Sequence, residues 1–75
     1  MIEVYTRAEC PQCDMTKNVL TREGVDFDVI DVEADPKALE YVRSLGYSAA
    51  PVVVVDGEHW SGFKPERIRA VCRAR

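Results

Sequence analysis

Seventy-five residues make room for one domain, and a core of that size leaves little stability to spare. With 47% hydrophobic and 31% charged residues the chain reads as globular with a polar surface, and no apolar run approaches the ~18 residues of a membrane span. A formal net charge of −3 gives no electrostatic case for binding nucleic acid.

The first residues, Met1 to Tyr5, lack the basic region and cleavage site of a secretory leader, so a cytoplasmic location is expected. Three cysteines, an odd number, do not suit the disulfide framework of a secreted miniprotein. Charge is uneven: seven of the thirteen acids fall between Glu23 and Glu40, and five of the ten basic residues from Lys64 onward. That pattern reads first as solvated faces. Nothing reads as a dedicated interface, so a monomer is expected.

In chain order, Met1 to Tyr5 is a β-type run in which Ile2, Val4 and Thr6 alternate with Glu3 and Tyr5. Thr6 to Glu9 is a loop that delivers Cys10-Pro11-Gln12-Cys13. A helix then runs from about Pro11 to Glu23, with Met15, Val19 and Leu20 toward the core and Gly24 as its stop. Pro11 suits the first helical position, because it has no N–H to leave unsatisfied. Val25 to Val32 is a second strand, with Val25, Phe27 and Val29 alternating against Asp26 and Asp28. A strand, a helix and a strand this close in sequence imply a parallel crossover.

Asp35-Pro36 starts a second helix, with Asp35 as N-cap, Leu39, Val42 and Leu45 as its buried stripe and Gly46 as its end. Tyr47 to Ala50 is a loop leading to Pro51. Val52 to Val55 is a strand buried on both faces. Asp56-Gly57 is a strong hairpin signal, so Glu58-His59-Trp60-Ser61 returns as an antiparallel edge strand. After a bend at Gly62 to Lys64, Pro65-Glu66 opens a last helix with Ile68, Val71 and Cys72 inward. The order is βαβαββα, an α/β domain over 1–75 with a four-stranded mixed sheet and three helices on its faces. That is the arrangement of the thioredoxin/glutaredoxin fold.

On these residues the chain resembles the glutaredoxin-type redoxins and, more narrowly, the NrdH-redoxins. Val4-Tyr5-Thr6 leading into Cys10-Pro11-Gln12-Cys13 is similar to their active-site entry. Leu45-Gly46-Tyr47 followed by Ala50-Pro51-Val52-Val53 resembles their cis-proline segment. Trp60-Ser61-Gly62-Phe63-Lys64-Pro65-Glu66 resembles the C-terminal signature of the NrdH group. Pro11 and Lys64 depart from that group, which usually has a non-proline apolar residue and often an arginine there.

The resemblance implies an electron donor to a ribonucleotide reductase, reduced by a thioredoxin reductase drawing on NADPH. It implies no bound cofactor beyond a reversible Cys10–Cys13 disulfide. It also implies that the backbone of Ala50, before a cis Pro51, pairs with an extended substrate peptide. Pro11, Gln12, Trp60, Ser61, Gly62 and Phe63 then complete the substrate-binding end. Glutathione-using relatives carry a glycine pair and an acidic pair where this chain has Ser61-Gly62-Phe63-Lys64, so the grip on glutathione is missing.

The chemistry also follows from position. Cys10 precedes a helix, where orphan N–H groups and the helix dipole favour a thiolate, which marks it as the attacking sulfur. Cys13, one turn inward, is the resolving thiol that frees what Cys10 captures. Glu9 and Asp14 oppose ionisation of Cys10, whereas Arg7 and Lys17 favour it. Two alternatives stand beside this reading: a glutathione-dependent glutaredoxin, and a metal or iron–sulfur module held by Cys10. A zinc site needs about four ligands, and beyond the pair only Cys72 and His59 are candidates, so no metal site is expected. Cys72 reads as a small core residue and His59 as a solvated strand position without a catalytic role.

Overall fold

A computed structural model describes residues 1–74; Arg75, one of the basic residues of the C-terminal segment, lies outside the described residues. The elements are β1 (Ile2–Thr6), α1 (Pro11–Arg22), β2 (Asp28–Asp31), α2 (Pro36–Ser44), β3 (Val52–Val55), β4 (Glu58–Ser61) and α3 (Pro65–Arg73). The sheet order is β2-β1-β3-β4. β1 runs parallel to β2 with Val4 opposite Val29, and antiparallel to β3 with Val4 opposite Val53. β3 and β4 are antiparallel, with Val53 opposite Trp60. The expected topology and its three helices are those observed.

Because side chains alternate across a strand, the sheet has two cores. Ile2, Val4, Val53, Val55 and Trp60 join Val19 and Leu20 of α1 and Ile68 and Val71 of α3. On the opposite face Tyr5 and Val52 pack with Ala38 and Val42 of α2. β1, at the sheet centre, is thus covered on both sides, and Tyr5 is buried rather than facing solvent.

Local chemistry sets the helix boundaries. Asp35 caps α2 by accepting from the N–H groups of Lys37 (3.1 Å) and Ala38 (3.3 Å), with Pro36 at the first helical position. Asp56 and Gly57 both have positive φ, 45° and 90°, which is what the tight β3–β4 hairpin demands.

Four residues expected to be buried need correction. Met15 is 42% exposed, and the buried face of α1 is Cys13, Thr16, Val19 and Leu20. At 3.6 residues per turn Met15 points about 140° away from Leu20, while Thr16 falls near it. The buried stripe therefore contains a small hydroxyl that a search for apolar residues passes over. Val29 is 50% exposed, because β2 is the sheet edge and is four residues long, with Val25 and Phe27 preceding it. On α2 the buried residues are Ala38 and Val42, while Leu39 and Leu45 are half-buried.

Candidate active site

The chain leaves the centre of the sheet at Thr6 and turns sharply into α1. Glu9 makes the turn in the left-handed region, φ 52°, a conformation that costs a non-glycine residue about 1–2 kcal/mol. Cys10 is the N-cap of α1 in extended conformation, and Pro11 is the first helical residue. The Cys13 N–H donates to Cys10 Sγ over 3.2 Å. The sulfur thereby takes the place that a serine or aspartate oxygen fills in an ordinary cap.

Cys10 and Cys13 have Cα atoms 5.2 Å apart and sulfurs at disulfide-bonding distance. Cys10 is 8% and Cys13 1% exposed, so the second sulfur is the more enclosed. The charges around them partly cancel: Lys17 Nζ lies 3.5 Å from Asp14 Oδ1 on the exposed side of α1.

Two distant segments converge on this pair. The Ala50–Pro51 peptide bond is cis, and Pro51 is buried. The Gly62 N–H donates to the Pro51 carbonyl over 2.8 Å, and Ser61 Oγ donates to the Ala49 carbonyl over 2.9 Å. The Phe63 N–H donates to Gln12 Oε1 over 3.2 Å, which ties the bend after β4 to the turn between the cysteines. Gly62 has φ 89°, and a Cβ built there would lie 3.7 Å from Gln12 Oε1. Pro11, Gln12, Ala50, Pro51, Ser61, Gly62 and Phe63 are therefore linked around the dithiol by hydrogen bonds or chain adjacency.

Trp60 takes a different place. It is 1% exposed and belongs to the core under α1 and α3, with the Arg67 guanidinium 4.7 Å from its ring centroid. Burial closes its ring to a docking peptide, so its part is to anchor the segment that Ser61 to Phe63 continue. Phe63 is half-buried against the same core.

Several features escaped the sequence reading. His59 is half-buried rather than solvated: Tyr47 Oη lies 2.7 Å from its Nδ1, and the two rings meet edge-on at 5.5 Å. The pair clasps the loop before Pro51 to β4. The Ala8 N–H donates to Glu33 Oε1 over 2.9 Å, which steadies the loop that delivers Cys10. A cavity of about 450 Å³ reaches from Ala50 along the α2 side of the sheet, walled by Tyr5, Val42, Tyr47 and Val52 and flanked by Arg7 and Arg43. Residues this far apart in sequence carry no shared period: the register of β1 with β3 sets Tyr5 against Val52, and α2 packs Val42 over them.

Burial pushes the Tyr5 phenol up to about 12 from its usual 10.0, with the neighbouring Glu3 carboxylate adding to the effect. Cys72 is half-buried on α3 against the first core and stands apart from the dithiol's disulfide. Among the described residues no helix is long and apolar enough to cross a membrane, and no three His, Cys, Asp or Glu side chains converge as metal ligands.

Residues 2–60 match the glutaredoxin family model. The glutaredoxin-like protein NrdH of Escherichia coli K12 is 42% identical over 67 residues, covering 89% of this chain and 83% of that protein. Its counterpart in Lactococcus lactis subsp. lactis is 37% identical over 68 residues, covering 91% and 94%. Among solved structures, the NrdH-redoxin of Escherichia coli superposes with a TM-score of 0.90 at 40% identity, covering 93% of this chain and 92% of that one. A glutaredoxin from Archaeoglobus fulgidus gives 0.85 at 36%, covering 96% and 85%.

Proposed function

The chain belongs to the glutaredoxin family, as a thiol–disulfide oxidoreductase similar to NrdH, and from that premise we propose a specific route for its electrons. They pass from NADPH, by way of a flavoprotein thioredoxin reductase, to the disulfide of a ribonucleotide reductase. The carrier is the Cys10–Cys13 pair itself, working in the cytoplasm as a monomer without a bound cofactor.

One observation supports this most: Cys10 Sγ sits at the N-cap of α1 and receives the Cys13 N–H, with the Cys13 sulfur enclosed behind it. A thiolate at Cys10 is favoured by that N–H and by the helix dipole. It attacks the acceptor disulfide, and a Cys10–acceptor disulfide forms while one acceptor sulfur leaves as a thiol. Cys13 then attacks Cys10 Sγ, closing the internal disulfide and releasing the second acceptor sulfur. Ala50, before the cis-proline, offers backbone to an extended acceptor segment, and the cavity beside it takes that segment's apolar side chains.

Lys64 and half-buried Phe63 stand where glutathione-using relatives carry acidic residues, which supports a protein reductase over glutathione. The test is NADPH consumption with a disulfide substrate. Turnover is expected with thioredoxin reductase and little with glutathione plus glutathione reductase; the reverse pattern would overturn the choice. An iron–sulfur cluster in freshly purified protein, seen in its visible spectrum, would overturn the carrier role altogether.

A further inference from the structure

Two buried side-chain polar atoms among the described residues have no hydrogen-bond partner: Thr16 Oγ1 and Trp60 Nε1. A buried hydroxyl left unpaired loses its hydrogen bonds to water without replacement and destabilises the fold. A valine would fill nearly the same space without that cost, so a hydroxyl at position 16 calls for a cause.

Thr16 lies three residues beyond Cys13, and both are on the buried face of α1, at 0% and 1% exposure. Residues three apart share a helix face, and helical side chains lean toward the N-terminus. The Thr16 side chain therefore lies over the turn that carries Cys13. In the disulfide the Cys13 sulfur is bonded to Cys10 and carries no charge. Opened, the same sulfur must act as an anion inside the protein, where an unpaired charge is costly. Its own N–H is already directed at Cys10 Sγ. The Trp60 indole can only donate, so pairing it with Thr16 would still leave the hydroxyl proton to give.

We propose that, in the reduced protein and in the mixed disulfide, the Thr16 hydroxyl donates to the Cys13 sulfur and holds its charge while that sulfur attacks. This deepens the reading of Cys13 as the resolving thiol and rests on it. In the step concerned, Cys13 Sγ bonds to Cys10 Sγ, the Cys10–acceptor bond breaks, and the acceptor sulfur leaves with the electron pair and takes a proton from solvent. The Thr16 proton stays on its oxygen throughout.

The experiment uses stopped-flow mixing of reduced protein with one equivalent of an aromatic disulfide whose thiolate absorbs, in a Cys72→Ala background. Attack by Cys10 releases the first aromatic thiolate, and closure by Cys13 releases the second, so the two steps are read as two phases. Thr16→Val is expected to leave the first phase unchanged. Below the Cys13 midpoint it should slow the second phase about three- to fourfold for each pH unit by which that midpoint rises. Thiolate fraction falls tenfold per unit while nucleophilicity regains part of the loss. At alkaline pH the order reverses, with the variant the faster, a crossing that a purely structural role would not produce. Thr16→Ala should show the same crossing, and Thr16→Ser should restore the parent profile.

Second phases that coincide across pH for the parent, Thr16→Val and Thr16→Ala would overturn this role while leaving the dithiol reading intact. A parent protein that releases only one aromatic thiolate and never closes the Cys10–Cys13 disulfide would overturn the dithiol reading itself, and the role of Thr16 with it.

Discussion

Cys10 and Cys13 differ less in exposure than in what each sulfur touches. Cys10 receives a backbone N–H at a helix cap, while Cys13 lies on the inward face of α1, one turn before buried Thr16. The third cysteine has neither setting. Cys72 packs against the first core, so Cys72→Ala is expected to leave disulfide transfer at the parent rate in a steady-state assay. Marked loss of transfer in a folded variant would give that thiol a role.

Tyr5 makes a separate residue-scale prediction. Its folded pKa, about 12, lies above the ordinary 10.0, so folding favours the protonated phenol. That contribution is complete below pH 10 and is lost as pH rises from 10 toward 12, because only the unfolded chain ionises readily in that window. Tyr5→Phe should therefore flatten the fall in stability between those limits, read as urea midpoints against pH. A parallel fall in both proteins would contradict the burial argument.

At the scale of elements, the β4–α3 bend is held to the dithiol by backbone geometry more than by side-chain bulk. Gly62 adopts φ 89°, yet a Cβ there would meet only an ordinary contact at 3.7 Å from Gln12 Oε1. Gly62→Ala is expected to cost about 1–2 kcal/mol from backbone conformation alone, measured by chemical denaturation. A loss well beyond that would reveal a steric clash that the geometry does not contain. Helix α1 supplies the companion test. Leu20→Ala should cost about 2–5 kcal/mol, whereas Met15→Ala, on the exposed side, should stay within about 0.5 kcal/mol. Equal losses would mean that the buried face of α1 has been misplaced.

The same elements show what the sequence made legible. Asp35-Pro36, Asp56-Gly57 and Cys10-Pro11 each carry their own local physics, a cap, a turn or a preset φ, and they appear in the fold where the sequence puts them. Val29, Leu39 and Leu45 depart from expectation because burial depends on which strand is an edge and which helix face meets the sheet, which local periodicity does not give. Met15 departs because the buried stripe of α1 runs through the hydroxyl residue Thr16 instead. At the site, the cysteines and the bend at Gly62 to Lys64 are visible as motifs. The Gln12–Phe63 and Ala49–Ser61 bonds are not, since each joins residues that only the closed sheet brings together.

At the scale of the whole molecule, the central strand β1 divides the labour. One face anchors α1 and α3, and with them the dithiol and Trp60; the other, under α2, borders the cavity that runs to Ala50. In the proposed reaction a captured acceptor would lie at the seam between the two cores, with Cys10 at the opening and the more enclosed Cys13 behind it. The most direct test of that arrangement is trapping. Cys13→Ser and Cys10→Ser variants are mixed with a peptide disulfide, and the products are mapped by mass spectrometry after proteolysis. Cys13→Ser should accumulate a stable adduct on Cys10, and Cys10→Ser should accumulate none. An adduct found instead on Cys13 of the Cys10→Ser protein, formed at the parent rate, would exchange the roles of the two sulfurs and contradict the account.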